Sequence, residues 1–202
     1  MPEFESAVAV LILWAGIGYL LGSIPFGMVL ARLMGLGNLR EIGSGNIGAT
    51  NVLRTGNKGA AALTLILDGG KGALAVLLAR AFAGEDAVQI AGLSAFVGHC
   101  YPLWLRFAGG KGVATFLGLL LALAWPVGVA ACLTWLATAA VSRLSSLAAM
   151  VAAASSALWM LVLGQGGAVL LALVLTALIL WRHRGNIARI RAGTEPKIGQ
   201  KD

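Results

Sequence analysis

The sequence predicts an all-α protein that crosses a membrane several times, and three observations predict it. Of its 202 residues 59% are hydrophobic and only 11% are charged, whereas a soluble domain carries about 25% charged residues. Several apolar runs reach or approach the ~20 residues that cross a ~30 Å hydrocarbon core as a helix. The lysines and arginines cluster between those runs, and if the runs alternate in direction almost all the clusters lie on one side.

The first run extends from about Ala7 to Ala31. Glu3 and Glu5 precede it, so it lacks the basic start of a cleaved signal peptide and reads as a retained span with its N-terminus outside. A basic, glycine-rich loop with Arg32, Arg40, Arg54 and Lys58 follows. The second run, about Gly59 to Ala83, is interrupted by Asp68-Gly69-Gly70-Lys71-Gly72, and Gly84-Glu85-Asp86 makes an acidic turn. The third, about Ala87 to Leu105, leads into Arg106-Phe107-Ala108-Gly109-Gly110-Lys111-Gly112. Val113 to Ala124 is the fourth, and Trp125-Pro126 reads as a turn beside an interfacial aromatic. Val127 to Val141 ends at Ser142-Arg143, and Leu147 to Leu163 ends at Gly164-Gln165-Gly166-Gly167. After Ala168 to Leu180 the tail carries Arg182, Arg184, Arg189, Arg191, Lys197 and Lys201.

These runs give seven spans in a single membrane domain, 1–202. Of fifteen basic residues, all but Arg80 and Lys71 fall on the side of the C-terminus. By the positive-inside rule that side is the cytoplasm, and the N-terminus lies outside. A five-span alternative merges the runs flanking Pro126 and Gly164, which puts Arg143 outside. The fourth run, about twelve residues or ~18 Å at 1.5 Å per residue, is the short member of the seven. Cys100 and Cys132 form no CxxC and imply neither a disulfide framework nor a zinc site. The many Gly and Ala residues in the spans allow close helix approach.

Three polar islands, 43–54, 98–115 and 181–195, share the cytoplasmic side under either count. The first, Gly43-Ser44-Gly45-Asn46-Ile47-Gly48-Ala49-Thr50-Asn51-Val52-Leu53-Arg54, holds three glycines within six positions, four neutral hydrogen-bonding side chains and a planar cation. No acidic residue occurs from Ile42 to Leu67. A helix starting near Gly48 or Ala49 would turn its free N–H groups toward this loop, making an anion site. In the second island Gly109-Gly110-Lys111-Gly112 opens an apolar helix and its N–H groups can cradle phosphate, with Lys111 as counter-charge. It lacks the GxxxxGK[ST] spacing of a Walker loop. In the third, His183 and Asn186 share a helix face at a spacing of three. The arginines around them suit anionic headgroups, and Glu195 suits a brace for those arginines. Asp68 and Lys71, ionisable residues inside a span, are either functional or a structural ion pair.

Gly43 to Arg54, the run Gly98-His99…Pro102…Phe107-Ala108-Gly109-Gly110-Lys111-Gly112-Val113-Ala114-Thr115, and the tail His183…Asn186…Gly193-Thr194-Glu195 resemble the three cytoplasmic motifs of the PlsY family. These are bacterial inner-membrane acyltransferases that use acyl-phosphate as donor and glycerol 3-phosphate as acceptor. The resemblance covers nearly the whole chain. It implies seven spans, no metal or cofactor, and lysophosphatidic acid and phosphate as products. It makes Ser44 and Arg54 essential, gives Gly109, Gly110, Gly112 and Lys111 to acyl-phosphate, His183 and Asn186 to activity, and Glu195 to integrity. Gly43, Gly45, Asn46, Gly48, Thr50 and Asn51, with Asp68 and Lys71, complete the expected substrate-binding set. Gly69-Gly70 departs from the bulkier residues the family more often carries before Lys-Gly. Membrane lipids are the expected surroundings, with no nucleic acid and no obligatory protein partner.

Two other classes fit the sequence less well. An organophosphate transporter would more often place its site at the midplane between inverted repeats, and no such repeat is present. An acyl-CoA or acyl-carrier-protein enzyme of the HxxxxD type would need Asp five residues after a histidine, where Trp104 and Ala188 stand.

Overall fold

The computed structural model describes residues 5–199, so Glu3 and Lys201 lie outside the described residues. Every regular element among them is helical: α1 (Val8–Gly22), α2 (Phe26–Leu33), α3 (Ala49–Val52), α4 (Lys58–Phe82), α5 (Glu85–Cys100), α6 (Val113–Leu123), α7 (Trp125–Ser142), α8 (Ser145–Val162), α9 (Val169–Arg182) and α10 (Arg184–Arg191). By length and composition four helices can cross a membrane: Val8–Leu33 taken together, Lys58–Phe82, Trp125–Ser142 and Ser145–Val162. The α9–α10 pair, bent by 61°, makes a fifth if it counts as one span.

The expected first span is broken at Ser23-Ile24-Pro25. Proline has no N–H to donate and disfavours helical geometry at the residue before it. The carbonyls freed at the break find donors from elsewhere: Trp104 Nε1 donates to Ser23 O at 2.6 Å and Lys71 Nζ to Ile24 O at 2.7 Å. Broken helix inside a bilayer is tolerated only where such groups are satisfied. The interruption expected at Asp68–Gly72 is absent, and α4 runs through it as one helix. Those glycines are contact points. A Cβ on Gly72 would meet Thr115 O and one on Gly118 would strike Gly69 O, so α4 and α6 pack backbone to backbone. Gly18, Gly22 and Gly98 do the same between α1 and α5, against Ala91, Ala95 and Tyr19.

A buried cluster including Phe96, Phe116, Leu119, Leu120, Met160, Leu175 and Ile179 fills the space between α5, α6, α8 and α9. The shortness of α6 has a geometric cause. Its first turns lie beside Gly69, eleven residues into α4, so the loop before it enters the bundle by about 16 Å along α4. The turn between α7 and α8 stands at the same end as the C-terminal segment. Ile198 N donates to Arg143 O at 2.7 Å, and Ser146 Oγ donates to Glu195 Oε1 at 2.6 Å. The five-span arrangement would put Arg143 at the other end.

Candidate active site

The first loop is folded around one amide. Asn51, buried on the single turn α3, donates from Nδ2 to Leu39 O (2.9 Å) and Asn46 O (2.7 Å). Its Oδ1 accepts from Ser44 N (3.1 Å) and Ser44 Oγ (3.3 Å). Gly43 takes φ +50°, and a Cβ there would overlap Arg54, which folds back across the loop. Arg54 pairs with no carboxylate and donates no hydrogen bond among the described residues. Gly45 (φ +66°), Gly48 and Asn46 shape the same turn, Asn46 Oδ1 accepting from Ile47 N at 3.0 Å. Thr50 Oγ1 lies 3.4 Å from Ser145 Oγ. With α3 only four residues long, the helix-end dipole expected at Gly48 is slight.

The second loop leaves α5 at Cys100, reverses through positive φ at Arg106 (50°) and Phe107 (61°), and returns across the end of that helix. Here the structure corrects the expected cradle. Gly109 N donates to Cys100 O (3.1 Å) and Gly110 N to His99 O (3.0 Å), so neither N–H is open to phosphate. Their glycine character answers to packing: a Cβ on Gly109 would meet the carbonyls of His99 and Cys100, and one on Gly110 the His99 ring. The open N–H groups belong to the first turn of α6, after Gly112 (φ +80°), where no side chain caps the helix.

Arg182, expected among the headgroup-binding arginines, instead pins this loop. It donates to Gly110 O and Gly109 O, both at 3.0 Å, and stacks on Tyr101 with 4.9 Å to the ring centre. Arg40 also reaches the loop, donating to Ala108 O and to Gly45 O. Neither role is visible in spacing. The only signal is that Arg40 precedes the first glycine-rich motif and Arg182 adjoins His183 in the third polar island.

Lys111 Nζ donates to Asn186 Oδ1 at 2.6 Å. Burial pushes the Lys111 pKa down to about 8; Glu195 opposes that, and Arg189, Arg182 and Arg54 reinforce it. Asn186 Nδ2 donates to Glu195 Oε1 (2.5 Å), and Glu195 Oε2 accepts from Arg189 Nε (2.7 Å). Burial raises the Glu195 pKa, yet the bonds from Ser146, Asn186 and Arg189 outweigh it and hold the carboxyl below its ordinary value. His183 occupies the bend between α9 and α10, with Nδ1 at 2.8 Å from Ile179 O. A carbonyl only accepts, so Nδ1 carries the proton and Nε2 is left as an acceptor. Burial, reinforced by Lys111, pushes the His183 pKa down to about 4.

Asp68 and Lys71 stand apart from these cations, buried in α4. Lys71 Nζ lies 2.7 Å from Asp68 Oδ1, and His99 Nδ1 lies 3.6 Å from the same oxygen. The lysine's donors go to Asp68 and to the broken helix at Ile24, a structural use rather than the expected substrate contact. Arg54, Arg182 and Arg189 thus gather around Lys111 together with one carboxylate, Glu195, which Arg189 already occupies.

A sequence model of glycerol-3-phosphate acyltransferase matches residues 12–193. The chain belongs to the glycerol-3-phosphate acyltransferase family. A family member from Ruegeria pomeroyi is 73% identical over 201 residues, covering 100% of this chain and 99% of that one. One from Roseobacter denitrificans is 72% identical over 197 residues, 98% of each. A crystal structure of PlsY, an integral membrane glycerol 3-phosphate acyltransferase, in its glycerol 3-phosphate form superposes with a TM-score of 0.88 at 40% identity, over 94% of this chain and 96% of that one. The lysophosphatidic acid form of that enzyme gives 0.84 at 38%, over 94% and 95%. Membership in this family makes the chain an integral membrane acyltransferase acting in phospholipid synthesis.

Proposed function

We propose that this enzyme transfers a fatty acyl group from acyl-phosphate to the 1-hydroxyl of sn-glycerol 3-phosphate, releasing phosphate and 1-acyl-glycerol 3-phosphate. The observation that carries this reading is the pair Arg54 and Lys111, two cations that face each other's field without a carboxylate of their own. A site built this way selects anions, and both substrates carry phosphate. Arg54 suits bidentate contact with the phosphate of the acceptor. Lys111 and the first turn of α6 suit that of the donor.

The hydroxyl oxygen attacks the acyl carbon, the bond from that carbon to the phosphate oxygen breaks, and phosphate leaves with the electron pair. Lys111 and the α6 N–H groups lower the charge cost at the leaving phosphate and the developing oxyanion. His183 Nε2 accepts a hydrogen bond from the attacking hydroxyl and orients it. With a pKa of about 4 it holds a proton weakly, so the hydroxyl proton passes to a phosphate oxygen. Ser44, set by Asn51, offers its hydroxyl at the same loop. Seven spans with the N-terminus outside, and a site facing the cytoplasm of a bacterial inner membrane, fit the basic residues gathered at the end that holds Arg54, Arg143 and the tail.

The decisive experiment is a donor panel of acyl-phosphate, acyl-CoA and acyl-carrier protein, with glycerol 3-phosphate and purified enzyme in detergent. Turnover with acyl-phosphate alone is expected. Robust acylation from acyl-CoA would overturn the donor assignment, and turnover without any gradient separates an enzyme from a transporter.

A further inference from the structure

Arg182 commits its guanidinium to two neighbouring carbonyls. Nη2 donates to Gly109 O and Nε to Gly110 O, both at 3.0 Å. The planar fork of an arginine suits such a pair, and a lysine ammonium does not reproduce it. The guanidinium lies over the Tyr101 ring at 4.9 Å. Tyr101 is itself anchored, its carbonyl accepting from Tyr19 Oη at 2.9 Å. Arg182 closes α9, and the next residue is His183, to which the reaction above gives the attacking hydroxyl.

These bonds fix the direction of one N–H. The peptide group between Gly109 and Gly110 is held at both ends, by Arg182 at the carbonyl and by His99 O at the N–H. The next peptide group, between Gly110 and Lys111, is held by Arg182 at its carbonyl alone. It is trans, so its N–H points opposite to that carbonyl and away from the guanidinium. The N–H groups of Lys111 and of the buried Gly112 find no acceptor among the described residues. Nearly all buried backbone N–H groups are paired, so an unpaired one beside a cation of the site calls for a use.

We propose that Arg182 is a positioning residue: by holding the Gly110 carbonyl it aims the Lys111 N–H at the acyl carbonyl oxygen of the donor, where that N–H stabilises the oxyanion. The inference rests on the reading that the donor's phosphate binds at Lys111. In an acyl-phosphate the acyl carbon is bonded directly to a phosphate oxygen, so an N–H on the residue that holds the phosphate is within reach of the carbonyl. As the hydroxyl oxygen bonds to the acyl carbon, the carbonyl π pair moves onto its oxygen. That pair returns as the bond to phosphate breaks, phosphate leaves with the electrons of that bond, and the hydroxyl proton goes to a phosphate oxygen. A fixed donor counts most where charge develops, so the effect belongs to kcat rather than to ground-state binding. Arg182 and His183, adjacent at one helix end, thus set the oxyanion donor and the nucleophile together.

The test is the kinetics of Arg182→Lys, which keeps the charge and loses the fork. Its kcat should fall by on the order of tenfold or more, while the KM values for glycerol 3-phosphate and acyl-phosphate stay near those of the wild type. An unchanged kcat would overturn the assignment. So would a loss confined to a raised KM for either substrate, which would assign Arg182 to ground-state binding. Should Arg182→Lys fail to fold, an ester in place of the Lys111 amide decides, introduced with the α-hydroxy analogue of lysine at position 111. The ester removes that N–H and retains the side chain. Because this N–H bonds nothing in the protein, the Tm should hold while kcat falls by on the order of tenfold or more. A lowered Tm with kcat retained would make the N–H structural and reject the proposal. A wild type that turns over no acyl-phosphate refutes the donor reading instead, and the same comparison, run with the donor that it does use, still decides the role of Arg182.

Discussion

Lys111 Nζ and Asn186 Oδ1 lie 2.6 Å apart, joining residues seventy-five positions apart in sequence. This contact fastens the second motif to the third, because Asn186 is itself held by Glu195. It aims the lysine without neutralising it, since an amide oxygen carries no net charge.

The lysine's depressed pKa yields a pH prediction. Lys111 is charged below about 8 in the free enzyme and loses its charge as pH rises through that value. Affinity for phosphate-bearing substrates should fall with it, so kcat/KM should show an alkaline limb near 8. Lys111→Arg keeps its charge throughout and should remove that limb while retaining measurable turnover. A limb that survives in Lys111→Arg belongs to another group.

Glu195→Ala would leave Asn186 Nδ2 and Ser146 Oγ without their acceptor, at a cost of about 1–3 kcal/mol. The carboxyl's folded pKa lies below its ordinary 4.5. Its stabilisation is therefore complete above the unfolded value and is lost as pH falls through the folded one. Melting curves in detergent should show a wild-type advantage that is flat from pH 6 to 8 and shrinks below about 4.5. An undiminished advantage at pH 3 would contradict the assignment.

Gly110→Ala places a methyl group against the His99 ring rather than into an open cradle. Overpacking of this kind costs about 1–3 kcal/mol. The expected result is a lowered Tm together with reduced kcat/KM, because Lys111 is the next residue. His99→Ala in the same chain should recover part of the Tm. A raised KM for acyl-phosphate with an unaltered Tm would mean that the methyl group meets substrate.

His183→Gln preserves a hydrogen-bonding side chain and should keep appreciable activity. An obligatory general base would cost ~10²–10⁴-fold on removal and take the acidic limb of the pH profile with it. Measuring kcat/KM against pH at saturating acyl-phosphate separates the two. A loss beyond about a thousandfold, accompanied by disappearance of that limb, would restore His183 as the base.

The side of the membrane reached by Arg143 is open to direct measurement. A cysteine at 143, in a chain with Cys100 and Cys132 replaced, should react with an impermeant reagent from the cytoplasmic side. Labelling from the periplasm would favour the five-span arrangement.

Membrane character and family membership were both legible in the sequence, because each rests on local order: apolar runs of spanning length, and three motifs of fixed residue spacing. So was the helix after Gly112, because a glycine-rich turn leading into an apolar run is a local pattern. What the tertiary structure decided was how each polar group is spent. Spacing offered Gly109 and Gly110 as phosphate donors, but long-range contacts with α5 use their N–H groups. Spacing grouped Arg182 with headgroup-binding arginines, but at the end of α9 it donates to the carbonyls of the glycine loop. Spacing offered Lys71 to substrate, but at the proline break in the first span it donates to Ile24 O. A sequence records which donors and acceptors exist. Inside a bilayer each must find a partner within the protein, and only the packed helices determine which one.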